Sequence, residues 1–136
     1  LLRHKDIDVN LPNKGGEFLL ARACDEKDVE VVKVLVQHQD IDVNIITKNG
    51  ESPLHIACRQ NNFEIVKLLL QHKNIDVNLT NTQAIPHQYN SSALETACRE
   101  NRIHFVKLLL QHKDIDVNLP NKYELTPLWE VLEHEI

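Results

Sequence analysis

The sequence is short of aromatic residues and of glycine. Phe, Trp and Tyr together make 4% of its 136 residues, and glycine occurs three times. With so few rings, a hydrophobic content of 42% must build its core from Leu, Ile, Val and Ala. Gly15, Gly16 and Gly50 do not make a glycine-rich loop of the kind that cradles phosphate. No apolar run approaches the roughly 20 residues of a membrane span. The opening LLRHKDIDVN has no cationic start followed by an apolar stretch, so no signal peptide is visible. A net charge of -5 works against general binding to nucleic acid or anionic membrane, because both repel an acidic surface. No HExxH, CxxC or nucleophile-elbow pattern occurs. Carboxylate pairs such as Asp25 and Glu26 read as solvated helix ends, not as groups tuned in a closed apolar pocket. Catalysis by this segment is therefore not expected, and no cofactor is expected.

What the sequence does have is a copy of itself. DIDVN starts at 6, 40 and 114 and NIDVN at 74, giving intervals of 34, 34 and 40 residues. An apolar block precedes each later copy: VVKVLVQHQ (31–39), IVKLLLQHK (65–73) and FVKLLLQHK (105–113). LLRHK at the start matches the end of that block. A further shared element lies upstream, ARAC (21–24), HIAC (55–58) and ETAC (95–98).

The spacing inside each unit is helical. In FEIVKLLLQH the apolar positions are 63, 65, 66, 68, 69 and 70, a wide stripe for a helix covered on most sides. In SPLHIACRQ, Ser52 suits an N-cap and Pro53 the first helical position, where no N–H is required. Leu54, Ala57 and Cys58 then fall on one face. Thr126-Pro127-Leu128 restarts the same pattern. Asn61 and Asn101 stand where a left-handed residue would end the first helix. Each unit reads as a short helix, a tight turn, a second helix and an extended connection, and such units bury their apolar faces only by stacking.

SPLHIACRQNNFEIVKLLLQHKNIDVN resembles the ankyrin repeat, with Ser52-Pro53-Leu54-His55 standing as its Thr-Pro-Leu-His signature and Asp76-Val77-Asn78 as its closing Asp-Val-Asn. The resemblance covers essentially the whole chain, and implies an all-α repeat solenoid of stacked helix-turn-helix units joined by β-hairpin-like loops. The units are 9–42, 43–76 and 77–116, with 1–8 the tail of a preceding repeat and 117–136 a partial one. Both ends fall inside a repeat, so the chain reads as a piece of a longer array or a longer protein.

Some positions depart from the family pattern. The interval is 34 residues where about 33 is usual. Gln39, Lys73 and Lys113 replace the glycine expected soon after the second helix, so that cap must be remodelled. Phe18-Leu19-Leu20-Ala21 loses both the cap and the proline of the first helix. His55 has Ala21, Glu95 and Trp129 at its equivalents, and the resemblance gives it a hydrogen bond to its own repeat's backbone. Lys27 stands where the turn between helices prefers Gly or Asn.

Cys24, Cys58 and Cys98 share one repeat position. Stacked helices lie about 8–10 Å apart, beyond the roughly 7 Å between Cα atoms that a disulfide allows. They read as small buried core residues, and free thiols kept in series fit a reducing, intracellular compartment such as the cytoplasm. His4, His38, His72 and His112 form a second series near the C-terminal end of each second helix. The helix dipole favours a protonated imidazole there, and the same spacing is too wide for a shared metal. The triplets Asn78-Leu79-Thr80 and Asn90-Ser91-Ser92 are read as chance, since Asn10, Asn44 and Asn118 occupy the position of Asn78 without the triplet.

The resemblance places partner contacts on the connections, or fingers, and on the first helices, the palm. The fingers are Lys14 to Glu17, Lys48 to Glu51 with Asn49 between, Asn81 to Ser91, and Lys122 to Leu125. The palm positions are Asp25-Glu26, Arg59-Gln60 and Arg99-Glu100, changing sign along the array. The copies differ most here, whereas the second helices barely change. Ile46, whose counterparts are Pro12 and Pro120, is expected as an exposed apolar tip residue, and Tyr123 sits on a fingertip. Val77 to Ala97 spans 20 residues against 14 from Val43 to Ala57, so six are inserted in one finger. Ile85, Pro86, His87 and Tyr89 give that finger apolar and hydrogen-bonding groups. The expected function is a non-catalytic, monomeric scaffold that binds another protein. The alternative is a targeting or regulatory array of a larger enzyme whose catalytic domain lies outside this chain.

Overall fold

The structure is a computed structural model, and it describes residues 7–81, 91–120 and Thr126. Among the described residues, six short helices form three consecutive pairs: α1 (Leu19–Asp25) with α2 (Val29–Val36), α3 (Pro53–Arg59) with α4 (Phe63–Leu70), and α5 (Ala93–Arg99) with α6 (Ile103–Leu110). Within a pair the helices pack on each other. Between pairs, α1 packs on α3 and α3 on α5, while α2 packs on α4 and α4 on α6. The result is an inner row of first helices and an outer row of second helices, as the repeat pattern implies.

Helices of seven or eight residues do not hold their shape alone in water. They are held by burial between the rows. Leu20, Ala23 and Cys24 of α1 are covered, as are Leu54, Ala57 and Cys58 of α3 and Leu94, Ala97 and Cys98 of α5. From the outer row Val32, Leu35, Ile65, Leu69, Phe105 and Leu109 face inward. Truncating a buried leucine of this kind to alanine costs about 2–5 kcal/mol. The Ala-Cys pair is small because two inner helices approach each other there.

Each turn between helices is a Schellman arrangement. Lys27, Asn61 and Asn101 adopt φ of 58°, 59° and 55°. Their N–H groups donate to the carbonyls of Cys24, Cys58 and Cys98, and the next residues donate to those of Ala23, Ala57 and Ala97. Ser52 and Ser92 cap α3 and α5 as their positions predict, accepting the N–H of His55 at 3.3 Å and of Glu95 at 3.2 Å. Phe18 makes no such cap on α1.

The second helices end without a left-handed residue, because a histidine does the work of the missing glycine. The Nδ1 atoms of His38, His72 and His112 accept the N–H of Asp40, Asn74 and Asp114, each at 3.1 Å. Each ring thus serves as a hydrogen-bond acceptor for the backbone just beyond its helix. Burial, with a smaller contribution from Lys73, lowers the His72 pKa.

The residue capped by histidine is gripped from the other side by the asparagine that precedes its own helix pair. Asn10, Asn44 and Asn78 donate their side-chain amides to the carbonyls of Asp40, Asn74 and Asp114, each at 2.7 Å. Their side-chain oxygens accept the N–H of Asp42 and Asp76 at 2.8 Å and of Asp116 at 2.7 Å. Asp8, Asp42 and Asp76 in turn accept the N–H of Asn10, Asn44 and Asn78, which holds each asparagine in place. The Asp-Val-Asn motif is therefore a clamp between successive connections, before and after each helix pair, with Val43 and Val77 buried between its polar members. Both polar ends of the Asn78 side chain are committed to it.

The fingers close by one repeated bond. Asn13 N–H donates to the Glu17 carbonyl at 2.9 Å, Thr47 to Glu51 at 2.9 Å, and Asn81 to Ser91 at 3.0 Å. The closing residues are four apart in the first two fingers and ten apart in the third, so the six inserted residues lie wholly between Asn81 and Ser91. Gly16 and Gly50, both at φ 78°, complete the two short turns. An isolated antiparallel bridge joins Thr80 and Ser92 outside the long finger, and it is the β-like pairing seen among the described residues.

Candidate functional site

The first two fingers and the inner helices beneath them enclose a shallow cleft of about 150 Å³. Its floor is apolar: Phe18 at the start of α1, Ala21 within it, and Ile56 of α3. Its walls are Glu17, Thr47, Lys48, Asn49 and Glu51 from the fingers, with Arg22, Asp25 and Arg59 from the helices. Each wall residue is placed by its repeat. The closing bonds at Glu17 and Glu51 fix the fingers, and the Schellman turns fix where α1 and α3 end.

The charges are sorted. Arg22 pairs with Glu17 and with Glu26, both at 3.0 Å. Arg59 pairs with Glu51 of its own finger at 2.9 Å and with Asp25 of the preceding repeat at 3.4 Å. Gln60 donates a further bond to Asp25 at 2.8 Å. The bond from Asn13, and then the charge of Arg22, lower the pKa of Glu17. The bond to Glu51 raises that of Arg59. Ion pairs this exposed add little to stability. Their effect is on geometry, since they pin finger to palm. Asp25 and Arg59, where the palm changes sign, are paired with each other.

Five of the residues expected at the partner site meet in this cleft: Glu17, Lys48, Asn49, Glu51 and Arg59. Gln60 borders it through Asp25, and Lys14 stands exposed on the adjoining tip. Ile46 is half-buried and not an exposed tip residue. The finger closes at Thr47, one residue later, so Ile46 lies before the neck and the tip is Lys48-Asn49-Gly50. Arg99 and Glu100 belong one repeat further on. Arg99 donates to the Ser91 hydroxyl at 3.1 Å, and Glu100 pairs with Arg102 at 2.9 Å at the turn. Ile85, Pro86, His87, Tyr89 and Tyr123 lie outside the described residues.

Sequence reasoning missed Arg22 and Ile56, although the signal was present. They occupy one repeat position, with Thr96 as the third copy, directly before the Ala-Cys pair that does not vary. Variation beside an unvarying pair marks the face of the inner helix that points away from its neighbours.

His55 ties the palm to the neck of the long finger. Its Nε2 donates to the Ser91 carbonyl at 3.0 Å, and its Nδ1 accepts a hydrogen bond from the Ser52 hydroxyl at 2.7 Å. The expected bond to its own repeat's backbone is therefore corrected: the backbone partner of the ring is in the next repeat. Burial lowers its pKa, so it stays neutral and structural. Ser91 also donates its N–H to the Asn81 side chain at 2.7 Å, so the base of the insertion is held from three directions. Glu95 occupies the equivalent position on α5 and is 1% exposed, with Arg99 at 3.7 Å.

Cys24, Cys58 and Cys98 are buried free thiols. Burial pushes Cys24 and Cys58 up to about 12, which leaves almost no reactive thiolate at neutral pH. Among the described residues no group of three or more His, Cys, Asp or Glu side chains is placed to hold a metal ion. Nor, among them, is any helix long and apolar enough to cross a membrane.

Comparison with known proteins agrees with this geometry. A family model described as ankyrin repeats in three copies matches residues 1–81, and a single ankyrin repeat model matches residues 89–119. The crystal structure of EF0377, an ankyrin repeat protein, is similar, with a TM-score of 0.80 at 29% sequence identity. That likeness covers 95% of this chain and 61% of the other, so the chain spans less than two thirds of that protein's length. No curated protein sequence matches. This chain belongs to the ankyrin repeat family, whose repeats are generally protein–protein interaction modules.

Proposed function

We propose that the chain is a non-catalytic scaffold that binds another protein through its finger tips and concave inner-helix row. The observation that carries this reading is the cleft between the first two fingers. It joins an apolar floor to a rim of side chains held in place by finger-to-palm ion pairs. Preorganised rims lower the entropic cost of binding. The residues lining it are also those in which the repeats differ, whereas the stacking residues repeat.

The six-residue insertion is the element assigned to specificity, through Ile85, Pro86, His87 and Tyr89, with Tyr123 on the following finger. Tyr supplies large contact area at small entropic cost. The closed neck at Asn81 and Ser91 supports this role, because it lets the finger lengthen while leaving the stacked rows in register. The three free thiols support a reducing compartment inside the cell.

The test is to shorten the 81–91 segment by six residues, to the length of the other fingers, and to compare affinity capture from cells expressing the natural protein. The fold should survive, with an unchanged circular dichroism spectrum. Partner recovery should fall. Equal recovery removes the insertion from the site, and recovery that no finger or palm substitution alters contradicts the reading as a whole.

A further inference from the structure

We infer that Asn49 is a site of spontaneous chemical modification. Its side-chain amide is lost to attack by the backbone nitrogen of Gly50, and an acid is left on the second fingertip. The reaction needs water and no enzyme or cofactor.

Asn49 is the one asparagine of the sequence that a glycine follows. Glycine has no side chain to crowd the attacking nitrogen, and it reaches more backbone conformations than other residues do. Other asparagines are held. Asn10, Asn44 and Asn78 commit both polar ends of the side chain to the clamp. Asn13, Asn62 and Asn81 accept backbone N–H groups through their side-chain oxygens. Asn49 is exposed at the tip, and among the described residues its side chain has no hydrogen-bond partner.

In the closed turn the Gly50 nitrogen is engaged. Gly50 is buried and donates to the Thr47 carbonyl at 2.8 Å, while Thr47 N–H donates to the Glu51 carbonyl and closes the finger. Attack therefore proceeds from the open turn, which an exposed loop tip reaches at small free energy. There a base takes the Gly50 amide proton, and the nitrogen forms a bond to Asn49 Cγ. The Cγ–Nδ2 bond breaks, and the amide nitrogen regains a proton and leaves as ammonia. Water then opens the cyclic imide at either carbonyl. One opening gives aspartate, and the other gives isoaspartate, whose main chain runs through Cβ.

Asn49 lines the first cleft beside Lys48 and Glu51. Conversion adds a carboxylate to that rim, and isoaspartate also reshapes the tip. On the protein-binding reading above, a contact surface is altered while the buried rows are untouched.

Peptide mapping of the intact folded chain by chromatography and mass spectrometry, sampled during incubation at neutral and mildly alkaline pH, tests the inference. A sample digested at the start sets the background. Asn49 should convert about tenfold or more faster than Asn10, Asn44 or Asn78. Conversion should be faster at the higher pH, and isoaspartate should appear beside aspartate. The chain unfolded in guanidinium should convert faster still, because no turn has to open. Asn49→Gln, with an unchanged melting temperature, should abolish the fast conversion. Conversion at Asn49 no faster than at the clamp asparagines overturns the inference, as does conversion confined to the unfolded chain. Aspartate without isoaspartate overturns the imide route. Every readout is made on the chain itself, so none of these results decides the protein-binding reading, which stands or falls on partner recovery in cells.

Discussion

Asn44 donates its side-chain amide to the carbonyl of Asn74, 30 residues ahead, while its side-chain oxygen accepts the N–H of Asp76. Asn74 in turn donates its N–H to His72. One side chain thus joins the connection before a helix pair to the cap that ends it. Two net hydrogen bonds at about 0.5–1.5 kcal/mol each make Asn44→Ala cost about 1–3 kcal/mol. Asn44→Asp keeps the acceptor but loses the donor and should cost less than alanine. Urea denaturation measures both, and a loss under about 0.5 kcal/mol for alanine would show that the clamp is decorative.

Lys27 is the weakest turn. At φ 58° it holds a conformation that costs a residue with a Cβ about 1–2 kcal/mol, whereas its counterparts are asparagines. Part of the gain on removing the Cβ returns as unfolded-state entropy. Lys27→Gly should therefore stabilise the chain by roughly 0.5–1 kcal/mol, and Lys27→Asn by less. A midpoint shift to lower denaturant in both variants would refute the strain at this turn.

Protonation of His55 should weaken the stack. The folded pKa lies below the ordinary value of 6.5, so below that pH the unfolded chain binds more protons than the folded one. Stability present at neutral pH is then lost as pH falls from 6.5 through the lowered folded value, and His72 acts in the same direction. Thermal melts between about pH 7.5 and pH 5 should show a falling melting temperature. His55→Gln should be less stable at neutral pH and lose less on acidification. A slope equal to that of the natural chain would mean that His55 does not titrate in this range.

Much of this was legible before any coordinates. Period, helix pairs, capping serines, left-handed asparagines, buried cysteines and the placing of the insertion all follow from spacing, because repeated stacking leaves the same residue types at the same positions. What spacing concealed was direction. His38, His72 and His112 were visible as a series, but not that each Nδ1 accepts a backbone N–H beyond the helix. His55 was visible as a hydrogen-bonding residue, but its backbone partner lies 36 residues ahead across the insertion. Ile46 was visible as an odd residue near a tip, yet its exposure depended on which residue closes the finger. Arg59 and Asp25 were read as separate palm charges, and only their 3.4 Å contact shows that they are paired.

The central claim is that another protein docks on the finger and palm face. The most direct measurement places a photo-crosslinking residue at Asn49, on the second fingertip, or at Lys107, on the outer face of α6, within the natural protein in its own cells. Irradiation should join a discrete partner to the Asn49 position and none to Lys107. A partner captured at Lys107, with none at Asn49, would contradict the account.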